Sequence, residues 1–119
     1  MAGDERTPPE RKSHGKSPSS ARLDRMIAEA VVDARGESEQ IVGFYTLLED
    51  NLVVPFDTEI SGVEIAVERI DMTDYEQIVA VCTHGGSLQR VPILDLPLPD
   101  PAPAGAEWID AYRLWARGK

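Results

Sequence analysis

The sequence predicts an α+β domain: two N-terminal helices, a small, curved, mostly antiparallel sheet or partial barrel, and a short C-terminal helix. Three observations carry that prediction. Apolar residues recur at offsets of three and four from Leu23 to about Leu52, alternate with polar ones beyond Pro55, and return to helical spacing at Trp108, Tyr112 and Trp115.

Residues 1 to about 20 are rich in Pro, Ser, Lys, Arg and Glu and almost empty of large apolar side chains. Such a stretch buries too little surface to offset its ordering entropy, so a disordered tail is expected, followed by one acidic domain over residues 21–119. Leu23, Met26, Ile27, Ala30, Val31 and Ala34 make the stripe of a first helix that stops near Gly36. A second begins near Ser38, with Ile41, Phe44, Tyr45, Leu48 and Leu52 on one face, Glu39 in the favourable first turn, and an end before Pro55. Beyond the proline, Val63, Ile65 and Val67 alternate with Glu64, Ala66 and Glu68, and Ile78 to Val81 form a second β-prone run. His84-Gly85-Gly86-Ser87 is a turn signal leading into Leu88–Ile93, a hairpin partner that Pro92 confines to a sheet edge or a strand end. Pro97, Pro99, Pro101 and Pro103 hold an extended segment, and the aromatic stripe of the last helix is expected to cover the body. No repeat or heptad interrupts this reading.

The 119 residues suit a single core, and the charge is strongly acidic: 12 Lys and Arg against 21 Asp and Glu. Residues 1–22 hold Arg6, Arg11, Lys12, Lys16 and Arg22 against three acids, leaving 7 basic and 18 acidic side chains in the remainder. A body near -11 repels phosphate backbones and anionic membranes, so neither nucleic acid nor membrane is an expected partner. The single cysteine, Cys82, excludes an intramolecular disulfide. With no run near the roughly 20 apolar residues of a membrane span and no apolar signal segment, a cytoplasmic location is the expectation.

Two groups of carboxylates stand out. Asp33, Glu37 and Glu39 flank the break between the helices, where a bend frees backbone carbonyls. Glu49 and Asp50 fall at the end of the second helix, among carbonyls expected to lack partners, and Asp57 and Glu59 follow across Pro55. Like charge at a negative helix end asks for a cation. Calcium suits it, because it accepts six to eight oxygens in a tolerant geometry and needs none of zinc's nitrogen and sulfur donors. Glu39 and Glu49 are separated by roughly 15 Å along the helix, so the groups do not share an ion. Asp71, Asp74 and Glu76 form a third acidic turn. The competing reading is a solvated acidic surface, the ordinary state of such residues.

Other chemistry has less support. No window has the alternating ligands, central Gly and terminal Glu of an EF-hand. Cys82 and His84, on one side of a strand, are two ligands short of a closed zinc site. Gly85-Gly86 leads into a strand and not a helix, so it reads as a turn and not as a phosphate cradle. No nucleophile, base and oxyanion set is recognisable.

Glu29-Ala30-Val31-Val32-Asp33, Glu39-Gln40, Gly43-Phe44-Tyr45, Leu48-Glu49-Asp50-Asn51-Leu52 and Pro55-Phe56, with Gln77 to Cys82 and Pro92 to Pro99, resemble in their combined order the small acidic calcium-binding proteins of the CcbP type. The resemblance spans residues 27 to 115. It implies a compact protein that binds calcium without EF-hands, as a buffer or sensor and not as a catalyst. It carries Asp33, Glu39, Glu49 and Asp50 as family positions, whereas Glu37, Asp57 and Glu59 rest on the physical argument alone. The alternative is a metal-independent interaction module whose acidic face or curved sheet recognises a basic protein.

Overall fold

Ser19 starts the folded chain: its hydroxyl accepts the backbone N–H of Arg22 at 3.2 Å, satisfying one of the orphan donors of helix α1, Ser20–Val31. The computed structural model describes residues 19–118, so most of the predicted tail lies outside the described residues. Helix α2 spans Glu37–Asn51 and α3 spans Glu107–Arg117. Between them run β1 (Phe56–Ile60), β2 (Val63–Met72), β3 (Ile78–His84) and β4 (Ser87–Pro92), followed by a single 3-10 turn at Ile93–Asp95.

The strands form one antiparallel sheet in the order β1-β2-β3-β4. It is an open sheet, not a closed barrel. Strand β1 was not anticipated from the alternation that begins at Val63. Its partner relation to β2 is set by Ser61-Gly62, both at positive φ, which close the two-residue turn between Ile60 and Val63. Pro92 ends the edge strand β4, where its missing N–H costs no ladder bond. A register shift between Val67 and Arg69 inserts Glu68 as an extra residue in β2, a bulge that bends the strand.

One face of the sheet carries the core. Ile65, Val67, Ile70, Ile78, Ala80 and Cys82 meet Met26 and Ala30 of α1, Phe44 and Leu48 of α2, and Trp108, Ile109 and Tyr112 of α3. The aromatic stripe does cover the body: the Phe44 ring lies 5.4 Å from Tyr112, edge-on, and 5.3 Å from Trp115. Trp115 Nε1 donates to Gln40 Oε1 at 2.9 Å, so the amphipathic indole keeps a polar partner. On the opposite face Val79 and Val81 are also buried. In register, Val81 lies between Arg69 and Arg90, and Val79 between Asp71 and Pro92.

The chain from the 3-10 turn through the proline segment is tied down at three points. Thr58, the one buried polar residue of β1, donates its hydroxyl to Pro97 O at 2.7 Å. Val53 N–H donates to Ala104 O at 2.9 Å. Arg113 donates from Nε and Nη2 to Ile93 O at 3.1 and 2.7 Å, and from Nη2 to Leu96 O. Gly105, at φ +89, lies so close to the end of α2 that an added Cβ would collide with the Asn51 carbonyl. No helix among the described residues is long and apolar enough to cross a membrane.

Candidate metal centre

The carboxylates expected to act together are distributed over three recesses, each built by a different pair of elements. The first is a groove of about 400 Å³ between the end of α1 and the flank of α2. Asp33, in the turn that closes α1, Glu29 one turn before it, and Glu39 in the first turn of α2 all line it. The helices approach most closely at Gly43, where a Cβ would collide with the carbonyl oxygen of Ala30. Glu39 Oε1 accepts the Arg35 backbone N–H at 2.8 Å, tying the first turn of α2 to the residue before its cap, while Gly36 itself makes no side-chain cap. Glu37 does not line this groove. It lies within electrostatic reach of Tyr112, whose phenol is pushed up mainly by burial and then by the Glu37 charge.

Glu49 belongs to a second place, a cleft of about 150 Å³ with Leu48, Leu52, Val54, Arg69 and Ile70. Strand β1 pairs with β2 only as far as Val67, so the later residues of β2 leave an open flank beside the end of α2. Tyr45 donates its hydroxyl to Glu49 Oε2 at 2.8 Å, and its pKa is pushed up to about 12, first by burial, then by the hydrogen bond and charge of Glu49, then by Asp71, with Arg69 opposing. Two of the carbonyls before Glu49 and Asp50 are taken within the chain. Leu48 O accepts Leu52 N–H at 2.9 Å and Leu47 O accepts Asn51 Nδ2 at 2.8 Å. Asp50 is exposed and lines none of the three recesses.

The third recess, about 590 Å³, is lined by Asp57, Glu59, Glu64 and Asp100 with Thr58, Gly62 and Pro99. Asp57 and Glu59 point to one face of β1 by strand alternation, and Glu59 lies directly opposite Glu64 in register. Like charges so placed repel. The Thr58–Pro97 bond holds the proline segment beside β1 and thereby brings Asp100 to the same recess. Asp57 and Glu59 therefore join Glu64 and Asp100, not Glu49 and Asp50.

Carboxylate oxygens fit a hard divalent cation, but the shell is not assembled: no three His, Cys, Asp or Glu side chains among the described residues are grouped closely enough to hold a metal ion. Soft-metal chemistry has no base here either. Cys82 is fully buried with its thiol pushed up by that burial, while His84 is exposed and its Nδ1 lies 3.2 Å from Glu64 O.

Glu29, Glu64 and Asp100 were not singled out from the sequence. Two of them had a signal. Glu29 precedes Asp33 by one helical turn, and Ser61-Gly62 between two β-prone pairs implies a tight hairpin that sets Glu64 against Glu59. Asp100 had none, because its position depends on a contact between residues 39 apart in the chain.

Residues 24–116 match the family model Calci_bind_CcbP, described as calcium binding. Among solved structures, a calcium-binding protein in its calcium-binding form shares 20% identity at a TM-score of 0.66, covering 83% of this chain and 93% of that one. The crystal structure of Anabaena CcbP shares 18% identity at a TM-score of 0.61, covering 87% and 95% respectively. At these identities the likeness is one of fold. No curated protein sequence matches the chain.

Proposed function

Because the chain belongs to the CcbP family of calcium-binding proteins, we propose that it binds calcium reversibly through surface carboxylates and acts as a sensor whose local arrangement changes on binding. The observation that carries the reading is the recess lined by Asp57, Glu59, Glu64 and Asp100, with Glu59 and Glu64 directly opposed across the β1–β2 hairpin. Calcium supplies two positive charges and accepts six to eight oxygens at tolerant angles. The side chains of Glu59 and Glu64 repel one another without a cation, so sharing one relieves a cost already present in the fold. Asp33 and Glu39, with Glu29, form a second candidate set in the α1–α2 groove; Glu49 stands without a second carboxylate in the cleft at the end of α2, and Asp50 and Glu37 line neither recess.

The sensor reading, in preference to a buffer, rests on the dispersed carboxylates. A tight store presents its ligands already converged, whereas these have to move, and the movement is what a partner reads. Binding to the folded state alone adds stability of about 2.7 kcal/mol at a hundredfold excess over the dissociation constant.

The test is calorimetric titration of the chelator-treated chain with calcium and, separately, magnesium. Glu59→Gln with Glu64→Gln is expected to remove the main saturable calcium heat, and Asp33→Asn with Glu39→Gln to leave it largely intact. A parent chain with neither calcium heat nor a thermal shift sinks the reading. Calcium heat lost only in the Asp33/Glu39 or a Glu49→Gln variant moves the site to that recess.

A further inference from the structure

Helix α2 is apolar on more of its circumference than the core requires. Ile41, Phe44 and Leu48 face the interior and Leu47 packs against their margin, yet Val42 is exposed in the groove against α1, where Val32 joins it. Val32 is 73% exposed and Val42 50% exposed. Isolated exposed valines are ordinary, but two that flank one groove, with Leu47 half-buried between the helices, make a continuous apolar floor. Glu29, Asp33 and Glu39 stand around that floor. Arg35, in the same inter-helix turn, is the only basic residue between Arg25 and Arg69, so the carboxylates dominate the groove's field.

We propose that the α1–α2 groove docks an amphipathic helix of another protein, one that presents large aliphatic side chains at three- and four-residue spacing flanked by Lys or Arg. The apolar floor fits the aliphatic anchors and the three carboxylates fit the basic flanks, the helix-in-groove mode of peptide recognition. Two other occupants fit worse. A second copy of this chain brings another strongly acidic body to an acidic groove. The chain's own residues 1–18 supply Arg11, Lys12 and Lys16 but no large apolar side chain beyond Met1, so they match the charge and not the floor. This docking stands on groove shape and charge in the calcium-free chain; calcium held by Asp33 and Glu39 would compete with the basic flanks for the same carboxylates.

The test uses the full chain in chelator at physiological salt. The probe is a synthetic Leu/Lys peptide with leucines on one helical face, and the control is a peptide of the same composition scrambled to have no face. The amphipathic peptide is expected to bind about tenfold tighter than the scrambled one, with amide shifts at Val32, Val42 and Leu47. Val42→Gln and, independently, Val32→Gln each remove an apolar contact without changing charge and are expected to weaken binding about tenfold. Val63→Gln, on the β1–β2 hairpin, is expected to leave it unchanged. Equal binding of both peptides, shifts mapping elsewhere, or two valine variants that bind like the parent would overturn the proposal. So would a peptide-free dimer that Val42→Gln dissolves, which seats a second copy there. Groove amides that move when Arg11, Lys12 and Lys16 become Gln would overturn it too, by seating the chain's own tail.

Discussion

Tyr45 and Glu49 are joined across one turn of α2 by a 2.8 Å hydrogen bond in which the phenol donates and the carboxylate accepts. The bond ties a carboxylate at the helix end to a tyrosine whose pKa is raised to about 12. One acceptor site of Glu49 is thereby used within the fold.

The raised phenol gives stability a defined pH dependence. The folded state holds the Tyr45 proton up to about 12, whereas the unfolded chain releases it near the ordinary value of about 10. The stabilisation is complete below the unfolded value and is lost as pH rises through the folded one. Tyr112 shifts in the same direction through burial and Glu37, so Tyr45→Phe is expected to reduce the alkaline loss of stability without abolishing it. Denaturant midpoints measured across that window, with tyrosinate absorbance as the titration signal, check this.

Tyr45 also reports where calcium goes. With the ion in the Asp57/Glu59/Glu64/Asp100 recess, saturating calcium is expected to leave the late tyrosinate phase in place. A phase that moves down toward the ordinary value places positive charge at Glu49 instead.

Across the hairpin, Glu59→Gln is expected to stabilise the calcium-free chain by about 0.2–1 kcal/mol, because it removes a like charge directly opposite Glu64. The same substitution is expected to shrink the calcium-induced rise in melting temperature. Scanning calorimetry with and without chelator reads both; a calcium-free chain destabilised by the change contradicts the repulsion argument.

The helix contact at Gly43 has no room to give, since the atom an added Cβ would strike is the backbone oxygen of Ala30. Gly43→Ala is expected to cost about 1–3 kcal/mol or to force α1 and α2 apart. Gly36→Ala, with nothing within 4 Å of the added atom, is expected to cost well under that. Urea unfolding of the two variants makes the comparison.

Arg113 bonds to the Ile93 and Leu96 carbonyls and so fastens the turn after β4 to α3. Arg113→Met keeps the stem but strands two acceptors, with an expected loss of about 1.5–3 kcal/mol. Arg113→Lys is expected to recover only part of this, since an ammonium group lacks the planar fork that serves both oxygens.

Much of the architecture was legible in local pattern. The stripes of α1 and α2, the hairpin turn at Gly85-Gly86, the edge position of Pro92 and the covering role of Trp108, Tyr112 and Trp115 all follow from spacing that repeats within a few residues. Strand β1 was missed because Phe56–Ile60 offers only five residues, and its identity as a strand depends on pairing with Phe56↔Val67 through Ile60↔Val63. Resemblance placed the chain in its family, and the match over residues 24–116 agrees.

By itself the sequence determined the class of the fold and the oxygen-rich, strongly acidic chemistry of its surface, because helix and strand periodicity and net charge are properties of neighbours in the chain. Only the tertiary structure decided which acids share a recess. It parted Asp57 from Glu49, set Glu64 and Asp100 beside Glu59, and left Asp50 outside, through a hairpin register and a Thr58–Pro97 bond that no local pattern encodes. Electrostatic partnership falls off over a few ångströms in space, and positions far apart along the chain become neighbours at that range only once it is folded.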